Sequence, residues 1–146
     1  MTPLDIVALR QLTARMLIHQ AGPDADAAAL AAAARRAYDQ LAGVLAPLIG
    51  QVGIDALAAR AVHLAQQEYP WLAKTRGPEQ AKGPFTPVGS SLEQQDPAVA
   101  TEAAAAVLAT FTGLLATFVG ESLTSRLMRK AWPDSFSDAV AEETRA

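Results

Sequence analysis

The chain has 146 residues, a net charge of −3 and no cysteine. At that length one domain is the natural organisation, with enough apolar surface to form a core without disulfide or metal staples. The charge balance argues against nucleic-acid binding, which calls for a dense basic face. The missing cysteines exclude disulfides, thiolate chemistry and cysteine-ligated zinc.

Apolar residues make up 51% of the chain but aromatics only 5%, so alanine carries much of the apolar character. Alanine is the best helix former, and nowhere do valine, isoleucine or aromatic residues gather into alternating runs that would mark a strand. The fold class read from this pattern is all-α. Four main helices form a bundle-like single domain over residues 1–133, followed by a tail at 134–146 that is a short helix or disordered. The N-terminal MTPLDIVALRQL lacks the basic region and long apolar run of a signal peptide, so the expected location is cytoplasmic.

Thr2 and Pro3 open the first helix as cap and first-turn proline, with Asp5 complementing the dipole. It is expected to stop at Ala21-Gly22-Pro23. Ile6, Leu9, Met16 and Leu17 lie on one side and Val7 and Ile18 on another, a broad arc that implies more than one neighbour.

Asp24 or Asp26 caps a second helix whose stripe is Leu30, Ala34, Ala37, Leu41, Val44, Leu45 and Leu48. Pro47 brings its ring against the carbonyl of Gly43, giving a kink or a new turn, and Gly50 and Gly53 punctuate. A third helix follows with Asp55 in its first turn. It turns Ile54, Leu57, Ala61, Leu64 and Ala65 inward, with Arg60, His63, Gln66 and Gln67 outward. Tyr69-Pro70-Trp71 ends it, because the residue before a proline avoids helical angles.

Residues 73–97 hold four prolines and three glycines without a helical period, and read as a long internal loop, either a passive linker or a functional segment. The fourth helix begins after Asp96-Pro97 and extends toward Ala131, with a change of character at Gly120 and a stop at Trp132-Pro133. Beyond Gly120, Leu123, Leu127 and Met128 form a narrow apolar stripe.

Within it, residues 103–120 (AAAAVLATFTGLLATFVG) carry no charge over 18 positions, the length at which a membrane span becomes a candidate. Its valines, leucines and phenylalanines favour insertion by only roughly 2–4 kcal/mol. Three threonines, two glycines and the flanking Glu102 and Glu121 oppose it. The expectation is therefore a central helix of a soluble bundle, with Phe111, Leu115 and Phe118 supplying bulk to thin, alanine-rich neighbours or lining an apolar pocket.

No phosphate-binding loop, dinucleotide fingerprint, zinc-protease motif or nucleophile elbow is present. Gly120-Glu121-Ser122 begins like an elbow but lacks the second glycine and the strand. His19 and His63 are the only histidines, and neither follows a glutamate three residues earlier, as carboxylate-bridged metal sites in bundles require. No catalytic, cofactor or metal residue is assigned. The contact candidates for a protein partner or a second copy are Trp71, Arg126, Arg129 and Lys130. Function by protein–protein interaction or homodimerisation leads this reading. The alternatives are membrane association through 103–120 and binding of an apolar small molecule near Phe111 and Phe118.

Overall fold

The computed structural model describes residues 6–72 and 85–132. Five helices and no strand occur among them: α1 Ile6–Ala21, α2 Ala27–Gln66, α3 Phe85–Leu92, α4 Pro97–Val119 and α5 Glu121–Ala131. The all-α class stands, and the finer pattern differs in four places. The expected helix start at Thr2-Pro3 and the tail lie outside the described residues.

Helix α1 buries Leu9, Thr13, Met16 and Leu17, the spacing of one helical face, against α2 and α4. Its second apolar side is not covered: Val7 and Ile18 are exposed, so the broad arc meets solvent on one flank. The helix ends as expected, with Gly22 at φ 98° donating its N–H to the Ile18 carbonyl at 3.0 Å.

Asp26, rather than Asp24, caps α2, accepting the Ala29 N–H at 2.8 Å. The 40 residues of α2 contain one non-helical position, Gly50, at φ 76° and ψ 162°. The expected second and third helices are thus two arms of one element, residues 27–49 and 51–66, and the break falls on Gly50 while Pro47 stays in helical backbone. A straight helix would hold Tyr38 and Asp55 about 25 Å apart. The Asp55 carboxylate nevertheless lies close enough to oppose ionisation of the Tyr38 phenol, so the Gly50 bend folds the second arm back beside the first.

A Cβ at Gly50 would meet no atom within 4 Å, so alanine there is strained only by its backbone, at a cost of about 1–3 kcal/mol. Gly43 also has open space but lies in ordinary helix, so Gly43→Ala should stabilise by about 0.5–1 kcal/mol. Urea unfolding of the two variants should therefore move in opposite directions; a loss in both would mean Gly43 is not helical.

The stretch read as a loop contains α3. Phe85, Val88 and Leu92 are buried at i, i+3 and i+7, and Pro87 occupies the first turn, where its missing N–H costs nothing. Residues 73–84 lie outside the described set. The long fourth helix is also two: Gly120, at φ 94°, separates α4 from α5.

Two contacts give the direction of α4. Glu93, just before α4, shares a shallow cleft with Ala31 and Arg35 of the first arm. Farther along, the Phe111 ring meets Tyr38 edge-on at 6.0 Å. Helix α4 therefore runs the same way as the first arm. Helix α5 then returns: the Trp132 indole Nε1 donates to the Ala37 carbonyl at 3.0 Å. The Gly50 bend and the Gly120 turn consequently lie toward the same end of the molecule.

The core is alanine against alanine. Ala31, Ala33, Ala34, Ala37, Ala58, Ala61 and Ala65 of α2 and Ala100 with Ala103 to Ala106 of α4 are all buried. Both α2 and α4 touch every other helix, so the centre expected of α4 alone is shared. Buried threonines cost little here, because each hydroxyl donates to a carbonyl one turn back: Thr13 to Leu9 at 2.7 Å, Thr112 to Leu108 and Thr124 to Gly120 at 2.8 Å.

Candidate interaction surface

The bulk expected of Phe111, Leu115 and Phe118 is divided. Phe111 and Leu115 are fully buried, and Phe111 joins a ring cluster in which Tyr38 stacks on Phe85 with centroids 4.8 Å apart and planes 12° from parallel. Phe118 is 71% exposed. A core position for Phe118 is thus overturned: it lies where α4 has run beyond the helices that cover its earlier turns. An apolar pocket lined by Phe111 and Phe118 together does not form, since one ring is enclosed and the other faces solvent.

Trp71 is half-buried and leans against the core, edge-on to Tyr69 at 5.9 Å. It helps close the end of the second arm, where Gln66, expected to face out, donates from Nε2 to the Leu72 carbonyl at 2.8 Å. Arg10 of α1 grips Glu68 with two hydrogen bonds, 2.7 and 3.2 Å, fixing α1 to the same corner.

The Arg10 hydrogen bonds hold the Glu68 carboxyl below the usual glutamate range. A depressed carboxylate adds stability above its unfolded pKa and loses it as pH falls through the folded value. Both side chains remain a third to half exposed, so Glu68→Gln should cost less than about 1 kcal/mol at neutral pH. That deficit should shrink in unfolding curves as pH falls below the usual glutamate range; a deficit unchanged in acid would exclude the ion pair as its cause.

Arg126 and Lys130 are exposed and Arg129 half-buried, opposite the buried Thr124, Leu127 and Met128 of α5. They form a short basic face at the negative end of the helix dipole. His63 lies exposed on the polar side of the second arm, as expected. Among the described residues no three His, Asp or Glu side chains come together as a metal group. The cleft of about 300 Å³ between α2 and α3 is shallow, lined by Ala31, Arg35, Phe85, Gly89, Ser90 and Glu93.

The surface that sequence reasoning missed is an apolar tip. Leu48 and Val52 on either side of the Gly50 bend are 55% and 85% exposed, and Phe118 lies beside the Gly120 turn. Leu48 was expected in the buried stripe; the bend at Gly50 carries it past the last helix that could cover it. A signal was available: residues 40–54, like 103–120, contain no charged side chain.

These features define an all-α protein built on two glycine-broken helical hairpins, with an uncharged apolar tip as its most distinctive described surface. No protein-family profile, curated protein or solved structure matches the chain.

Proposed function

We propose that the protein works by binding another protein chain, with no chemistry of its own, and that the uncharged tip is its principal contact. The observation that supports this is that Leu48 and Val52, on either side of the Gly50 bend, and Phe118, beside the Gly120 turn, are each more than half exposed. Single exposed apolar residues are ordinary on soluble proteins, whereas grouped ones mark contact sites. Trp71 and the basic face at Arg126, Arg129 and Lys130 are secondary contacts on the same reading, and the compartment is the cytoplasm. Purification of tagged chain at native abundance, followed by mass measurement, should recover either a second copy or one stoichiometric partner. A clean monomer without a partner would remove the proposal.

A second reading is membrane association. Helices α2 and α4 are both long and apolar enough to cross a bilayer. The threonines that count against insertion of α4 lose part of their weight, because Thr112 and Thr117 hydrogen-bond to carbonyls within their own helix. Against this reading, 56% of the most apolar window of α4 is already buried among the other helices. Protein that stays wholly in the soluble fraction, with none in carbonate-washed membranes, would exclude the second reading.

A further inference from the structure

We draw no further inference here: the strongest candidate, the apolar face that Leu48 and Val52 expose on either side of the Gly50 bend in α2, carries nothing further because nothing in the structure shows what covers it.

Discussion

Replacing Trp132 with alanine should lower the stability of the chain by about 3–5 kcal/mol, the range for removing a large aromatic from a packed core. Trp132 is 2% exposed and follows directly on α5. Its indole fills the space between α5 and the first arm of α2 and donates to the Ala37 carbonyl at 3.0 Å, so it fastens the returning helix at its far end. The other end of α5 joins α4 through the Gly120 turn, where glycine takes φ 94° at no steric cost. At this chain length the loss corresponds to a fall in Tm of about 8–15 °C. Trp132→Phe separates packing from hydrogen bonding. The carbonyl of Ala37 sits inside a helix, where the backbone ladder supplies a donor, so losing the indole N–H alone should cost about 1 kcal/mol. Thermal unfolding that gave similar losses for both variants would mean the hydrogen bond, and not the ring, holds α5 in place.

Much of this fold was legible because alanine-rich helices announce themselves by composition and punctuation. The stops at Gly22 and Trp132, the start at Pro97 and the buried stripe from Leu30 to Leu45 were readable from cap residues and 3–4 spacing alone. The errors share a physical origin. A helix in a sequence has a periodic face, but whether that face is covered depends on how far the neighbouring helices reach. Leu48 and Phe118 continue their stripes without fault, and both emerge into solvent because the bends at Gly50 and Gly120 occur at one end. The eight residues of α3 were hidden by Pro87 and Gly89, which read as loop punctuation. Phe85, Val88 and Leu92 carried a helical spacing too short to stand out among prolines. The surface proposed for binding was legible only indirectly, as a gap in the charge pattern between Asp39 and Asp55.

Helix α3 also explains why so thin a core encloses any large side chains. Alanine faces allow helices to approach closely, and close approach leaves little room for aromatic rings. Helix α3 packs against both α2 and α4. There Tyr38 stacks on Phe85 and meets Phe111 edge-on, each ring from a different helix. The same enclosure leaves the Tyr38 hydroxyl buried with no hydrogen-bond partner among the described residues.

That hydroxyl makes stability depend on alkaline pH. Burial pushes the Tyr38 phenol from 10.0 up to about 12, with the Asp55 and Asp39 carboxylates adding to the rise and Arg35 opposing it. A group whose pKa is raised on folding contributes stability that is whole below its unfolded value and is lost as pH climbs through the folded one. The window is therefore pH 10 to about 12, where the unfolded chain has released the phenolic proton and the folded chain still holds it. The loss from this residue alone should reach about 1–1.5 kcal/mol near pH 11 and roughly 2 kcal/mol near pH 12. Tyr38→Phe retains the ring stack and removes both the titration and the unpartnered oxygen. At neutral pH it should be equal to wild type or more stable by about 1–2 kcal/mol, because a buried hydroxyl without a partner costs its desolvation. The advantage should then widen by the amounts above as pH rises. Urea unfolding of both proteins at about pH 8 and about pH 11 measures it, and other groups that titrate in that range cancel in the difference. An advantage of the same size at both pH values would mean that Tyr38 is hydrated in solution and that the ring cluster is open to water.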